Sequence, residues 1–298
     1  MIKLLTHTDL DGVSCAILAN IVYKNQVEIE FFHNPNELNK YLENFNNIYN
    51  QVFITDLSCD KKYLNEHTNI YLFDHHKSVL DLHNGLNHIV QIEFNNHLTC
   101  GTELFYYYLK PLIKQDLAFF VELVRLYDIW EWVNNFSKLP YYLNNLLYIY
   151  GINKFIDKYS YLLEDHNVNE LNLFTNQDRL LLINHDIQID KYINDKIQNT
   201  NQQTILINNQ EYTISICFAS KHQSLLGEKI NSDIVAIIDL NRNICSLRTN
   251  NDNIDLSLLI KKINKNGGGH KKAAGCELDN FIKDNVCQYL IDKLQSKI

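Results

Sequence analysis

The sequence has no Cys-x-x-Cys pair. Its seven cysteines, Cys15, Cys59, Cys100, Cys217, Cys245, Cys276 and Cys287, are scattered through 298 residues. That argues against a secreted disulfide framework or a zinc knuckle and leaves reduced thiols with a packing role. Long apolar runs are missing too. Met1 to Leu5 gives way to Thr6-His7-Thr8-Asp9 too early for the hydrophobic segment of a signal peptide, and no later stretch is apolar enough to span a membrane, so a cytoplasmic protein is expected. There is no Gly-x-Ser-x-Gly elbow for a serine hydrolase, no Walker ending of the GKT or GKS form, and no internal repeat. Nor is there an excess of positive charge: the formal net charge of -8 argues against nonspecific binding to long duplex nucleic acid. It leaves open a small phosphorylated substrate drawn in by metals. What is present is a 46% hydrophobic composition, enough to bury a large core in one long domain plus a smaller one.

Short apolar runs at 2–5, 28–32, 52–54, 70–73 and 89–92 are separated by segments long enough for helical crossovers, which predicts a parallel α/β sheet. Several runs end in acids and imidazoles. Ligands in such sheets bind beyond the carboxyl ends of the strands, so residues distant in sequence are expected to converge there. From about 102 to 198 the chain reads as helical, with helices predicted over 117–127, 141–161 and 177–197 and interrupted by Pro140 and Asn-rich turns. After a polar stretch at 198–203 the pattern changes to β-rich runs at 204–207, 212–218, 234–238 and 244–247. The expected organisation is a first domain over 1–170, a helical linker over 171–202 and an α/β carboxyl-terminal domain over 203–298.

The chemistry-bearing residues lie at those strand ends. His7, Asp9 and Asp11 follow the first run at intervals of two; an extended backbone would put them on one face, with Gly12 permitting a tight entry into a helix near Val13. The bland alternative is a helix cap at Asp9 or Asp11 and a surface histidine. Asp56 follows Val52-Phe53-Ile54-Thr55, and either starts a turn or bridges two ions. Asp74-His75-His76 leaves the run Ile70-Tyr71-Leu72-Phe73, and an acid followed by two imidazoles is hard to explain as core. Adjacent residues point apart, so one histidine would ligate while the other faces a phosphate, and Asp74 would orient an imidazole or assist proton transfer. Asp128 lies in an apolar helical setting, where a metal, Arg125 or local hydrogen bonds must compensate its charge. Trp130 and Trp132 are expected to pack rather than to stack on bases.

Near the carboxyl terminus, Gly267-Gly268-Gly269-His270-Lys271-Lys272-Ala273-Ala274-Gly275 combines close-approach backbone with an imidazole and two cations. Its Gly amides would cradle an anion while His270 and Lys272 touch phosphate; a glycine turn leading into a helix is the alternative. Arg248 is a second phosphate-binding candidate, and His222 a candidate substrate contact.

This ordered set, His7-Thr8-Asp9-Leu10-Asp11-Gly12, Thr55-Asp56, Asp74-His75-His76, Asp128 and Gly267-Gly268-Gly269-His270 with Ala273-Ala274-Gly275, resembles the DHH/DHHA1 phosphoesterase family over nearly the whole chain. Within it, the chain is similar to the B-type nano-RNases, which are bacterial oligoribonucleases. The resemblance implies a parallel-sheet DHH domain joined by helices to a smaller α/β DHHA1 domain, with the active site in the cleft between them. It implies that Asp9, Asp11, Asp56, His75 and Asp128 ligate two manganese ions, Asp56 bridging, with Asp74 and His76 supporting the ligand shell and the scissile phosphate; the relatives' first histidine falls at Leu5, four residues before Asp9, and His7, two before it, is a candidate ligand from the reading of the residues. By the same resemblance Arg248, His270 and the Gly267, Gly268 and Gly269 backbone would hold the substrate, and the reading of the residues adds Lys272 and His222 as contacts. Magnesium, cobalt and zinc also match the donor types.

The function so implied is two-metal hydrolysis of short single-stranded RNA to nucleoside monophosphates. Rival readings are a phosphatase for 3'-phosphoadenosine 5'-phosphate, a linear dinucleotide phosphodiesterase, and a nucleotide-binding protein without catalysis. Neither long duplex nucleic acid nor a membrane is an expected partner, and a homodimer is left open.

Overall fold

The computed structural model describes residues 1–66, 68–84, 87–134, 137–278 and 284–285. Cys287 and most of the last twenty residues of the expected 203–298 domain lie outside them. The chain forms two compact units, Met1–Ile183 and Asn184–Ile298.

In the first unit, β1 (Ile2–His7), α1 (Leu10–Tyr23), β2 (Val27–Phe32), α2 (Pro35–Leu42), β3 (Gln51–Thr55), α3 (Lys61–Glu66), β4 (Ile70–Asp74) and β5 (His88–Val90) alternate along the chain. The strands pair in parallel in the order β2-β1-β3-β4-β5. The central strands β3 and β4 are apolar on both faces because both faces are covered, whereas the edge strand β2 alternates, with Glu28 and Glu30 exposed. Leu4, Phe53 and Phe73 pack with α1 and the later helices, whereas Leu5, Ile54 and Leu72, one residue away in each strand, pack with Leu38 of α2 and Leu64 of α3. The period of two along a strand thus divides the core into two layers. The layer under α1 is aromatic: Phe105 lies 5.2 Å from Phe53 and 5.1 Å from Phe73 between ring centroids. Truncating a fully buried Phe such as Phe53 to Ala would cost about 3–5 kcal/mol.

A small antiparallel pair, β6 (Glu93–Phe94) and β7 (His97–Leu98), precedes α4 (Gly101–Leu109), α5 (Ala118–Asp128), α6 (Leu139–Tyr150) and α7 (Ile152–Asp165). The helix expected over 141–161 is therefore two helices. Gly151 at φ 73 ends the first and caps the second, a left-handed conformation that glycine adopts without a Cβ clash. Pro140 opens α6 from its first turn instead of interrupting a helix, since the missing N–H is not needed there.

The boundary between the units falls within α8 (Asn176–Gln198). Leu182 belongs to the first core and Ile189 and Ile193 to the second. The second unit is a smaller mixed sheet of β8 (Asn201–Ile207), β9 (Gln210–Phe218), β10 (Ile234–Asp239), β11 (Ile244–Arg248), β12 (Gly268–Gly269) and β13 (Ala273–Glu277), in the order β12-β13-β11-β10-β9-β8. α9 (Gln223–Lys229) and α10 (Leu256–Ile263) complete it. Along β10, Ile234 and Ala236 face Leu256 and Ile260 of α10, while Val235 and Ile237 face Leu226 of α9 and Ile193 of α8. Six cysteines, Cys15, Cys59, Cys100, Cys217, Cys245 and Cys276, are free and buried, in keeping with a packing role. Among the described residues no helix is long and apolar enough to cross a membrane.

Candidate metal centre

With strand order 2-1-3-4-5, the crossovers leaving β1 and β3 run to opposite sides, and the crevice at their carboxyl ends is where such sheets bind ligands. His7 is the last residue of β1 and Asp56 directly follows β3, while Asp74 ends β4. The expected extended run through Asp11 does not form. Asp9 is the N-cap of α1, its Oδ1 accepting from the Gly12 amide at 3.1 Å, and Asp11 already lies in the first helical turn. Capping and site-building are not alternatives for Asp9, because its other oxygen, Oδ2, lies 2.8 Å from His7 Nδ1. Gly12 is needed where it stands: the His7 backbone fills the space a Cβ would take.

Asp11 is held from another element. Gly101 N and Thr102 N, the opening amides of α4, donate to its two oxygens at 2.7 Å each, and Thr102 Oγ1 donates to its carbonyl at 2.7 Å. The helix start thereby gains the capping acceptor that its N-cap residue does not supply, since Cys100 makes no side-chain cap bond there. Thr55 Oγ1 donates to Thr6 Oγ1 at 2.8 Å, and Thr6 Oγ1 to the Gly12 carbonyl at 2.9 Å, tying the ends of β1 and β3 to the start of α1. Gly101, Thr102 and Thr6 are structural members of the centre that the sequence does not single out, and Thr55 joins them from the Thr55-Asp56 motif. The only sequence signal for Gly101-Thr102 is that it follows a cysteine that cannot cap.

Asp56 takes φ 52, unusual for a residue with a Cβ, while its amide still donates to the Phe73 carbonyl at 2.9 Å. The turn aims a carboxylate that is only 1% exposed into the middle of the group. Its Oδ2 lies 3.5 Å from His7 Nδ1 and its Oδ1 3.5 Å from His75 Nε2. His75 Nε2 is also 3.2 Å from Asp128 Oδ2 and 3.8 Å from Asp11 Oδ2. Two sets of donors, His7 with Asp9 and Asp56, and Asp11 with His75 and Asp128, each lie within 4.8 Å, as does a third, Asp56 with His75 and His76. Asp56 and His75 each belong to two of them.

The residues fit divalent cations. Asp56 Oδ2, His75 Nε2 and His7 Nδ1 are buried without a well-formed hydrogen bond. His7 Nε2 lies 3.2 Å from the His33 carbonyl, which can only accept, so a neutral ring keeps the Nδ1 lone pair toward Asp9 and Asp56. Burial, with Asp11, Asp9 and Asp128 close by, pushes the Asp56 carboxyl well above the usual carboxylate range. Burial and the Asp11 and Asp9 charges push Asp128 up to about 8. Four carboxylates this close resist joint ionisation unless cations stand among them. Carboxylate oxygen and imidazole nitrogen are donors that manganese, magnesium and zinc accept.

Asp74 does not join the ligand sets. Its Oδ1 accepts from the amides of His75 and His76 at 2.7 and 3.0 Å and contacts His76 Nδ1 at 2.7 Å. It thereby fixes the turn in which the two rings lie side by side, 4.5 Å between centroids and tilted by 48°. The Asp74 hydrogen bond holds His76 protonated, pushing its pKa up to about 9, and leaves the His76 ring half-exposed. Arg125 is not the partner of Asp128: its guanidinium is buried against Glu122 (2.7 Å), Glu131 (3.2 Å) and the Leu98 carbonyl (3.0 Å). Trp132 packs, stacked on Tyr141 at 5.2 Å, but Trp130 is 62% exposed, against the expectation that it too packs.

In the second unit Arg248 and the glycine-rich segment meet around the ends of β11 and β13. Register sets Arg248 opposite Ala273 and Gly269 opposite Ala274. The Arg248 stem lies over Gly227, where any Cβ would meet its Cβ and Cγ at 2.5 Å. Gly267 is buried and its amide donates to Asn264 O at 2.9 Å, so its smallness serves packing against Cys276 and Ile260, and the expected anion cradle narrows to Gly268 and Gly269. These glycines lead into a hairpin, not a helix, with exposed His270 in the turn. Lys272 Nζ is engaged by Asp252 at 2.5 Å and by Asn250 O at 3.1 Å. His222 caps α9 in a left-handed conformation, edge-on to Tyr192 at 5.7 Å.

No family model matches the chain. It is 33% identical over 307 residues to oligoribonuclease NrnB of Bacillus subtilis (strain 168), a match covering 95% of this chain and 74% of that protein. Among solved structures, exonuclease RecJ bound to manganese superposes with a TM-score of 0.52 at 13% identity, covering 95% of this chain and 87% of that one. RecJ of Thermus thermophilus in complex with Mn2+ gives 0.53 at 14% identity, covering 97% of this chain and 51% of the other, so this chain spans about half of that protein. At those identities the likeness is one of fold.

Proposed function

Given that the chain belongs to the DHH/DHHA1 phosphoesterase family, we propose that it degrades short single-stranded RNA to nucleoside monophosphates with two manganese ions in the centre of the first unit. The observation that carries this reading is the convergence on Asp56 and His75 of donors from β1, α1, β4 and α5, with three buried polar atoms left unpartnered. The 33% identity to an oligoribonuclease supplies the substrate class.

In this reading His7, Asp9 and Asp56 hold one ion and Asp11, Asp56, His75 and Asp128 the other. Bound divalent metals supply Lewis acidity and an acidified water for attack on phosphorus. The chain's own residues do the rest. Gly101 and Thr102 amides hold Asp11 in one orientation, so its remaining lone pairs are aimed without reorganisation. His76, kept charged and oriented by Asp74, meets the phosphoryl oxygens as negative charge grows on them. Residues 1–170 form the catalytic DHH domain in this reading, 171–202 the linker and 203–298 the DHHA1 domain, whose Arg248, Gly268, Gly269 and His270 grip the substrate, with His222, Lys272 and Gly267 supporting them.

The test is a labelled RNA length series, together with 3'-phosphoadenosine 5'-phosphate, incubated with manganese and either the native protein or Asp56→Ala. Release of mononucleotides, fastest from dimers to pentamers and abolished by Asp56→Ala, is the expected outcome. Orthophosphate from the bisphosphate alone would replace the nuclease with a phosphatase, and metal-independent binding without turnover would replace both with a binding protein.

A further inference from the structure

α5 ends at Asp128, and the chain then turns through Ile129 into Trp130 at φ 63. That left-handed position after a helix is one where Gly or Asn is the usual occupant, because a Cβ is crowded there. The turn is held firmly. Ile129 N donates to Arg125 O at 3.0 Å and Trp130 N to Tyr127 O at 3.2 Å. The buried Arg125 guanidinium ties Glu131, the next residue, to Leu98 O of β7. The outcome is an indole 62% exposed to solvent, although burying it would be the ordinary gain from a tryptophan. Trp132, two residues on, is turned inward and half-buried, stacked between Tyr127 at 6.0 Å and Tyr141 at 5.2 Å, with interplanar angles of 17° and 23°.

The exposed ring is carried by the segment that leaves the metal centre at the end of α5. Trp130 is two residues from Asp128, whose Oδ2 is 3.2 Å from His75 Nε2. It meets Trp132 at 6.1 Å, and Trp132 meets Tyr127 at 6.0 Å. Tyr127 immediately precedes Asp128 at the end of α5. A row of rings, Tyr127, Trp132 and Trp130, thus runs from the residue before Asp128 to an exposed indole face. Strain held at one residue, in a turn fixed on both sides, is a pattern found at ligand clamps.

We propose that Trp130 is the platform on which a nucleobase flanking the scissile phosphate stacks. This rests on the phosphodiesterase reading of the centre. The ligand chemistry follows from the residue: an indole offers a flat π-face and no cation, so it recognises a base by stacking and leaves phosphate to the metals. Every base has such a face, so the platform tolerates any sequence but favours purines by their larger area, and it requires that a base be present. Trp130 binds substrate; it takes no part in proton transfer.

The experiment compares the native protein with Trp130→Ala and Trp130→Phe, in manganese, on ApA, UpU and a dimer with an abasic residue on each side of the phosphate. Trp130→Ala should raise KM for ApA roughly 5-fold to 100-fold, and for UpU by less, with kcat changed little. Trp130→Phe should recover most of the loss, and hydrolysis of the abasic dimer should be indifferent to both substitutions. An unchanged KM for ApA in Trp130→Ala, or an equal effect on the abasic dimer, overturns the proposal. A second readout is independent of turnover. The chain has two tryptophans, so in a Trp132→Phe background the emission of Trp130 reports alone. Adenosine 5'-monophosphate should quench it saturably while ribose 5-phosphate does not, and absence of that quenching also overturns the proposal. Should the native protein hydrolyse no dimer while quenching persists, the phosphodiesterase reading fails and the stacking site stands.

Discussion

A methyl group added at position 101 would stand 2.8 Å from Asp56 Cβ and 3.0 Å from Asp11 Oδ2, closer than packed atoms tolerate, and neither neighbour is the free end of a flexible chain. Gly101→Ala should therefore displace two carboxylates at once. Overpacking of this kind costs about 1–3 kcal/mol in stability, but the sharper expected effect is on manganese affinity, because a group assembled from rigid elements loses its geometry together. Isothermal titration would show weakened manganese binding in a protein whose circular dichroism is native, and wild-type affinity would refute the claim. Asp74→Asn tests a different link. It leaves the ligand sets intact and weakens the contact at 2.7 Å that orients His76; outer partners of this kind are worth about 10–100-fold in activity or metal affinity. The loss should appear in kcat at saturating manganese. The reacting acids and imidazoles were readable in the sequence because their types and order are chemical. Gly101, Thr102 and Thr6 were not readable, because what qualifies them is a contact across some 90 residues of chain with Asp11, or between neighbouring strands.

At the scale of elements, α8 starts on a reciprocal cap. Thr175 N donates to Asp178 Oδ2 at 2.7 Å and Asp178 N to Thr175 Oγ1 at 3.2 Å, the capping-box arrangement with Asp in place of Glu. Asp178 is fully buried and is further held by Tyr150 Oη at 2.5 Å and Lys158 Nζ at 3.0 Å. Burial works to raise its pKa, but the hydrogen bonds from Tyr150, Thr175 and Lys158 outweigh it and the net shift is downward. A depressed folded-state pKa means the folded chain holds its proton less tightly than the unfolded one. The stabilisation is then complete above the unfolded value of about 3.9 and is lost as pH falls through the folded value. Asp178→Asn should cost about 1–3 kcal/mol near neutrality in urea unfolding, and the gap between the two proteins should shrink toward pH 3. A gap constant with pH would assign the effect to shape alone. The Thr-x-x-Asp pattern was in the sequence, as were the five strands of the first sheet, because period and strand length carry over directly into pleat and burial. The break at Gly151 was overlooked because the apolar pattern continues across it. The extended run through Asp11 was misjudged because Asp9 caps a helix already under way by Leu10.

For the molecule as a whole, the consequence of the metal centre is unequal stability. Among the described residues the acid and imidazole groups close enough to share an ion all lie in the first unit. Without cations the folded first unit must hold Asp9, Asp11, Asp56 and Asp128 together, two of them with carboxyls driven up in pKa by burial and by one another. The unfolded chain separates those charges, so the repulsion is carried by the folded state alone. A cation that binds only the folded state reverses the balance, adding about 2.7 kcal/mol at a free concentration one hundred times its dissociation constant. For a unit of this size that corresponds to a rise of about 5–10 °C in the midpoint of its thermal transition. Manganese should therefore raise the transition of the first unit and EDTA lower it, while Asp56→Ala, which removes the shared ligand and one buried like charge, should be more stable than native in EDTA and gain little from manganese. Hydrogen exchange decides where the effect resides. Added protection should fall on the exits of β1, β3 and β4 and the start of α4, where the ligands and the Gly101 and Thr102 amides are, with β8 to β13 unchanged. Equal protection over both units, or an Asp56→Ala protein stabilised as much as native, would place the ions elsewhere.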